Sequence, residues 1–301
     1  MGDKPVHIIG YSTGAPLALE YTLGALEGQS VPIPARLVLI SQVIGVHATA
    51  VLAGFKNMLS GIPGLEGLAF LQVQPEFDPF KYNSFATNAG NIVYCLTSDV
   101  ASRIRKRVAT NPDRVLSPTL VIKSAVDATV TNDAAIDNLF KHLKPNRHEL
   151  LLFDINRYQL VSTELLNEDL APFTNRVMTD KTLPFSVTLV TNKDAGTNRV
   201  ISKSRLPFSD QAGSSRDLNL FWPPGVISLS HVSPPIAPND PLYGQRVPED
   251  DSFLFLGQLG IQGERGILKI PADWMFRLRY NPFYEYLESK TVDWIVSDNL
   301  P

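Results

Sequence analysis

The stretch Val6-His7-Ile8-Ile9-Gly10-Tyr11-Ser12-Thr13-Gly14 lies near the start of the 301-residue chain and decides the fold. Residues 6–10 form a short, mostly β-branched run that ends at a glycine, which is typical of a buried parallel strand. Residues 15–27 then carry leucines at a spacing that predicts a helix. A strand that passes through a tight turn directly into a helix indicates an α/β protein.

The rest of the chain continues the alternation of strands and helices. Further strands are predicted at residues 37–40, 119–122, 185–190 and 226–230. Further helices are predicted at residues 132–143 and 274–296, the second broken near Asn281 and Pro282. Strands that alternate with helices in this way predict an α/β fold with a mostly parallel sheet.

Residues 10–14, Gly-Tyr-Ser-Thr-Gly, form the pattern G-x-S-x-G between the first strand and its helix. In this setting the pattern predicts a nucleophile elbow, a strained turn that holds a serine hydroxyl clear of the backbone. Glycines on either side are expected to leave room for close packing. The helix directs its positive end at an oxyanion formed beside Ser12, and the backbone N–H of Thr13 is the expected donor. An ordinary Gly/Ser turn is the alternative.

These residues resemble the α/β-hydrolase family, in particular its bacterial esterase, lipase and monoacylglycerol-lipase-like members. The similarity continues through Ala15-Pro16-Leu17-Ala18, and residues 118–127 resemble the acid-bearing strand and turn of the family. The resemblance implies an α/β-hydrolase fold, with helices on both faces of the sheet and a lid-like insertion. It also implies hydrolysis by a Ser-His-Asp triad.

The order along the chain in this family is serine, acid, histidine. Asp127 follows the strand predicted at residues 119–122, at the carboxyl end where the ligand sites of open sheets gather. Asp133 and Asp137 are alternatives, but they fall on the next helix, where a carboxylate has a capping or dipole role. Asp127 is therefore the predicted acid.

Five histidines compete for the role of general base: His7, His47, His142, His148 and His231. The first lies inside a strand, the second starts an insertion, and the third lies late in a helix. His148 precedes a strand, whereas the base of the family follows one. His231 follows the strand predicted at residues 226–230 and opens a Pro-rich loop, so it is the predicted base. It lies 104 residues after Asp127, farther than in compact members of the family.

Two long intervals do not fit a minimal alternation of strands and helices. Residues 43–110 are rich in small apolar and aromatic residues and predict a lid or cap. Residues 155–222 predict a second insertion, which accounts for the long spacing between acid and base. The predicted hydrolase core is then residues 1–42 together with residues 111–301.

The resemblance begins late in the family's fold. Four strands and a helix normally precede the elbow strand, whereas five residues precede it here, so an N-terminally shortened hydrolase is expected. The loop that supplies the second oxyanion donor has no counterpart, and such a loss lowers turnover about 100- to 1,000-fold. Residues 185–191, or a second copy of the chain in a homodimer, are the two expected covers for the open edge of the sheet.

The predicted activity is cleavage of carboxylic esters with hydrophobic acyl or aryl groups. Ser12 attacks the carbonyl, His231 acts as general base and then general acid, and Asp127 orients His231. Tyr11 is expected to border the acyl pocket. Two alternatives remain open: a truncated, inactive remnant that serves as a scaffold or binds a partner, and an acyltransferase or amidase that uses the same serine.

Composition excludes several other functions. A net charge of −3 gives no basic field for nucleic acid, and one cysteine, Cys95, excludes a cysteine-rich zinc site. There is no H-E-x-x-H pattern, and no cofactor or metal is expected. The chain lacks an apolar run of about 18 residues and a signal-like start, so a cytoplasmic location is expected.

Three roles are expected for the apolar side chains of residues 43–73. They line an acyl pocket, contact a lipid surface, or form two short core helices.

Overall fold

The computed structural model describes residues 4–44, 60, 62–73, 82, 84–112, 116–127, 132–144, 148–159, 171–211, 213–224, 226–231, 233–245, 259–261, 276–278 and 280–297. In this part of the chain the α-helices are α1 (Gly14–Leu26), α2 (Thr87–Thr110), α3 (Asn132–Asn138), α4 (Ala171–Thr179) and α5 (Tyr284–Val296). Short 3-10 turns span Glu66–Ala69, Phe140–His142 and Arg157–Gln159.

The main sheet contains the strands β1 (His7–Tyr11), β2 (Arg36–Ile40), β5 (Thr119–Ser124), β6 (His148–Phe153), β7 (Ser186–Asn192), β8 (Arg199–Arg205) and β9 (Ser215–Phe221), in that spatial order. Two small antiparallel pairs join β3 (Phe70–Gln72) to β4 (Phe85–Ala86) and β10 (Leu259–Ile261) to β11 (Phe276–Leu278). In the main sheet β1, β2, β5, β6 and β7 pair in parallel, and β8 and β9 continue the sheet antiparallel.

Both faces of the main sheet are covered. Alternate side chains of one strand enter different cores: Leu37 and Leu39 pack in one cluster, and Val38 and Ile40 in the other. The first cluster contains buried residues of α1, α2 and α4, and the second contains residues of α5 and the loop before it. A strand that is apolar on both faces needs this two-sided cover. The predicted α/β fold, with a mostly parallel sheet and helices on both faces, is confirmed.

The prediction for residues 185–191 is wrong in one respect. They form β7, but β7 pairs with β6 and β8, so among the described strands β1 lies at the edge of the sheet and pairs with β2 alone. The strands β7, β8 and β9 therefore extend the sheet on the side opposite to β1. Part of the interval 155–222 belongs to the core sheet, and the proposed division of the chain into core and insertions stays a prediction.

Two predicted elements near the C-terminal end are also wrong in part. Residues 226–230 alternate in sequence but are not a strand, because Val226 and Leu229 pack in the second cluster while Asn156 binds the backbone there. Residues 276–278 form β11, so the helix predicted from residue 274 begins only at Tyr284. Among the described residues, no helix combines the length and apolar character needed to cross a bilayer.

Candidate active site

Ser12 occupies the turn between β1 and α1, and its backbone has the left-handed φ of +50°. A non-glycine residue in this region is strained and needs support from its surroundings. Ser12 N–H donates to the carbonyl of Ile40 (2.9 Å), and its own carbonyl accepts from Ala15 N–H (3.2 Å) and Val43 N–H (3.3 Å). The backbone of the serine is therefore fixed by α1, by the end of β2 and by the segment just after β2.

The two glycines of the pattern have different roles. A Cβ on Gly10 would lie 2.7 Å from the carbonyl oxygen of Gly14 and 2.8 Å from Cα of Ala15, so the first turn of α1 lies directly against β1 there. A Cβ on Gly14 would have nothing within 4 Å. The expectation that glycines on both sides leave room for close packing therefore holds for Gly10 and is wrong for Gly14.

Ser12, His231 and Asp127 are brought together from three distant parts of the chain. The Oγ of Ser12 lies 3.1 Å from Nε2 of His231. The Nδ1 of His231 lies 3.0 Å from each carboxylate oxygen of Asp127. His231 and Asp127 are buried, whereas Ser12 is half-exposed. Because Nδ1 donates to the carboxylate, Nε2 is left as the acceptor for the serine hydroxyl.

The loop that carries His231 is held by two buried asparagines. The Nδ2 of Asn156 donates to the carbonyl of Val226 (2.8 Å), and its backbone N–H donates to that of Ile227 (2.6 Å). On the other side of the histidine, Asn281 donates through Nδ2 to Pro234 (3.1 Å) and through its backbone N–H to Ile236 (2.8 Å). These four hydrogen bonds hold the backbone of the His231 loop, which has no neighbouring strand to pair with among the described residues.

Thr13 and Tyr11 flank Ser12. Thr13 is exposed at the start of α1, and no side-chain hydrogen bond caps that helix. The ring of Tyr11 is partly exposed, with its centroid 6.4 Å from that of His231. These positions place a helix N-terminus and an aromatic ring beside the serine, and the predicted oxyanion and acyl-pocket roles of the two residues stay predictions.

The alternative acids and bases lie elsewhere. Asp133 is exposed and binds Arg176, and Asp137 is exposed and binds Lys141 (2.6 Å), as expected for carboxylates with a local surface role.

The other histidines also lie in other elements. His148 is the first residue of β6 and is buried. His7 lies in β1 and His142 in a 3-10 turn. His47 and most of the insertion predicted at residues 43–110 before α2 lie outside the described residues.

Lys123 is a residue of this site that the sequence reasoning missed. It is the second-last residue of β5, its side chain is fully buried, and its Nζ lies 3.4 Å from Oδ2 of Asp127. Burial lowers the pKa of the Lys123 ammonium, and the Asp127 carboxylate acts in the opposite direction. The signal was available, since a single lysine interrupts an otherwise apolar run four residues before the predicted acid.

Buried polar groups also surround the end of β2. Ser41 has a left-handed φ of +47°, like Ser12, and its N–H donates to the carbonyl of Ile122 (2.8 Å). Gln42 is fully buried, and neither atom of its amide has a hydrogen-bond partner among the described residues. In the same part of the chain, no group of three or more His, Cys, Asp or Glu side chains is arranged to hold a metal ion.

No protein-family model matches the sequence, and no curated protein matches it either. Solved structures do. A monoacylglycerol lipase from Paleococcus ferrophilus is 12% identical, with a TM-score of 0.36, over 50% of this chain and 59% of the lipase. A soluble variant of the monoglyceride lipase of Saccharomyces cerevisiae is 11% identical, with a TM-score of 0.33, over 50% of this chain and 53% of its own.

The esterase Est1E of Butyrivibrio proteoclasticus, solved with ferulic acid bound, is 15% identical with a TM-score of 0.27, and the match covers 50% of each chain. The chain thus spans 50% to 59% of the length of these three solved structures. Over that half, the chain is similar to monoacylglycerol lipases and esterases of the α/β-hydrolase fold.

Proposed function

We propose that this chain is a serine hydrolase that cleaves carboxylic esters through an acyl-enzyme on Ser12. The observation that supports the proposal is the continuous line of contacts from Ser12 Oγ through His231 to Asp127, at 3.1 and 3.0 Å. A serine hydroxyl is a weak nucleophile until a base takes its proton, and the base needs a third group to fix its tautomer. All three groups are present within hydrogen-bond distance.

In the proposed first step, Ser12 Oγ attacks the ester carbonyl as its proton moves to Nε2 of His231. The carboxylate of Asp127 stabilises the imidazolium that forms. The proton then passes from Nε2 to the departing alkoxide, which leaves as an alcohol. Water attacks the acyl-enzyme in the second step, again with His231 as base, and releases the acid and the free serine.

The backbone N–H of Thr13 is the proposed donor to the oxyanion, because Thr13 is exposed and is the N-cap residue of a 13-residue helix that begins beside Ser12. With one such donor, turnover about 100- to 1,000-fold below that of a complete oxyanion hole is expected.

Hydrophobic acyl or aryl esters are the proposed substrates. The partly exposed ring of Tyr11 stands beside the imidazole and offers an apolar surface to an acyl group. Described parts of the predicted lid region expose several large apolar side chains, among them Phe70, Val73 and Phe85. Such surfaces favour contact with apolar substrate or with a lipid surface over a charged peptide.

A chain-length series of p-nitrophenyl esters, from acetate to decanoate, tests the proposal with the wild type and Ser12→Ala. We expect hydrolysis by the wild type, with kcat/KM rising from acetate toward the middle chain lengths, and none above background by Ser12→Ala. Product analysis with added alcohol or amine separates hydrolysis from acyl transfer. Equal rates for the two folded proteins would contradict the proposal and favour a scaffold function.

A further inference from the structure

The second oxygen of the Asp127 carboxylate faces a cation as well as a histidine. Oδ2 of Asp127 lies 3.0 Å from Nδ1 of His231 and 3.4 Å from Nζ of Lys123. The lysine and the aspartate are both fully buried. The carboxylate is therefore enclosed between two nitrogen groups that belong to different parts of the fold.

The burial of Lys123 needs an explanation, because a strand position in a packed sheet is an expensive place for an ammonium. Its predecessors along β5, Leu120, Val121 and Ile122, are all fully buried and apolar. A buried ion pair is seldom a source of net stability compared with apolar residues of similar size. Lys123 is better explained by its electrostatic effect on the Asp127 carboxylate than by a contribution to the stability of the core.

Other buried charges of the neighbouring strand are engaged away from this pair. Glu149 of β6 binds Lys290 of α5 (2.8 Å) and accepts from Thr188. Asp154, just after β6, binds Arg157 (3.0 Å) and accepts from Thr191. The ionisable groups that face His231 and Asp127 include Lys123 from β5 and Tyr11 from β1.

We propose that Lys123 is a positioning residue for the site: its ammonium fixes the Asp127 carboxylate so that both oxygens face Nδ1 of His231, and it offsets part of the negative charge that the imidazole experiences. The inference rests on the proposed function, since it assigns a role within the same site. The effect of the Lys123 charge on His231 does not depend on ester hydrolysis.

The charge of Lys123 acts on the protonation of His231 through the Asp127 carboxylate. A carboxylate beside a histidine favours the protonated ring, and a cation beside that carboxylate opposes this effect. Removing the charge of Lys123 makes protonation of His231 easier, so the ring takes up its proton at higher pH. In the active enzyme the acidic limb of the kcat/KM profile moves to higher pH, since the base must be unprotonated to act.

The test compares Lys123→Met, Lys123→Gln and Arg205→Met. Arg205 is the matched control, because it is another fully buried cation but lies in β8, where it binds the backbone carbonyls of Phe185 and Leu206. The first readout is the pH profile of kcat/KM on p-nitrophenyl butyrate. The second is NMR titration of the His231 ring in a Ser12→Ala background, which needs no activity.

Both Lys123 variants are expected to shift the His231 titration and the acidic limb upward by about one pH unit, and to lower the plateau rate about tenfold. Arg205→Met is expected to lower stability without moving either midpoint. A His231 titration unchanged in Lys123→Met and Lys123→Gln would overturn the inference. A shifted titration in a chain that hydrolyses no ester would leave the inference standing and refute the proposed function.

If neither uncharged variant folds, the His231 titration is measured in Lys123→Arg. It keeps the charge, so the His231 titration is expected to stay within about 0.3 pH units of the wild type. A shift of a full unit in that folded variant would contradict the assigned role.

Discussion

Nδ1 of His231 lies 3.0 Å from both carboxylate oxygens of Asp127, although 104 residues separate the two in sequence. Asp127 is held at the end of a central parallel strand, and the His231 loop is held by buried asparagines. Two segments that are held independently therefore bring Asp127 and His231 together, and a substitution can disturb either segment separately.

Asp127→Asn is expected to lower kcat on p-nitrophenyl butyrate by roughly three to four orders of magnitude. An amide cannot stabilise the imidazolium, and it favours the wrong tautomer of the ring. Steady-state kinetics measure the change. Asp133→Asn is the matched control, because that carboxylate is exposed and binds Arg176 at the surface. Comparable losses in the two variants would contradict the role proposed for Asp127.

Gly10→Ala and Gly14→Ala form a second matched pair within the G-x-S-x-G pattern. The new Cβ of Gly10→Ala meets backbone at 2.7 Å, so α1 must move away from β1. We expect a loss of about 1–3 kcal/mol in the free energy of unfolding, measured in urea, and a fall in ester hydrolysis. Gly14→Ala meets nothing within 4 Å and is expected to stay close to the wild type in stability. The opposite ranking would be incompatible with the described turn.

Asn281→Ala removes the side-chain hydrogen bond to Pro234 and the acceptor for Phe283 N–H. We expect about 1–3 kcal/mol of lost stability, together with a lower kcat at temperatures where the variant is folded. The reason is that the His231 loop loses one of its two anchors. Urea unfolding and kinetics on the same preparation measure the two effects.

Asn198→Ala provides the comparison for Asn281→Ala. Its Nδ2 donates to the backbone carbonyl of Trp222 (3.2 Å), which lies outside the His231 loop. This variant is expected to lose stability and to keep its kcat. A kcat that falls in Asn198→Ala as far as in Asn281→Ala would show that general loosening, and not the loop, is responsible.

Gln42→Met is expected to stabilise the protein by about 1–3 kcal/mol, because the buried amide of Gln42 has no hydrogen-bond partner in the described structure. Methionine fills a similar volume without a polar group that must be satisfied. Thermal and urea unfolding measure the change. A clear loss of stability would mean that the amide of Gln42 is satisfied in solution.

Local patterns in the sequence were sufficient for much of this fold and site. The run from Val6 to Gly14 predicted the strand, turn and helix correctly, because the burial of β-branched residues and the steric demand of Gly10 are local properties. The position of Asp127 after its strand and the elimination of four histidines led to the residues that the fold brings to Ser12.

Features that depend on distant partners were not predictable in the same way. The sequence of residues 186–192 predicts a strand but does not show which neighbour it pairs with, so one of the two expected covers for the edge of the sheet is wrong. Residues 226–230 have the alternation of a strand, yet Asn156 binds their backbone in place of a ladder. A single lysine in an apolar run marks position 123 in the sequence, but its contact with Asp127 is visible only in the folded geometry of β5 and the turn after it.

Within the described residues β1 is an edge strand, and the expected homodimer stays a prediction. Ile9 is 54% exposed there, although it lies in a strand paired with a buried neighbour. An uncovered edge of this kind promotes pairing with another strand.

Intact-mass spectrometry after fluorophosphonate treatment tests the central claim most directly, with wild type, Ser12→Ala, His231→Ala and the control Asp133→Asn measured side by side. The account predicts one adduct on the wild type and on Asp133→Asn, no adduct on Ser12→Ala, and labelling of His231→Ala slowed by at least about 1,000-fold. A folded wild type that takes up no adduct, or a Ser12→Ala variant that is labelled as fast as the wild type, would contradict it.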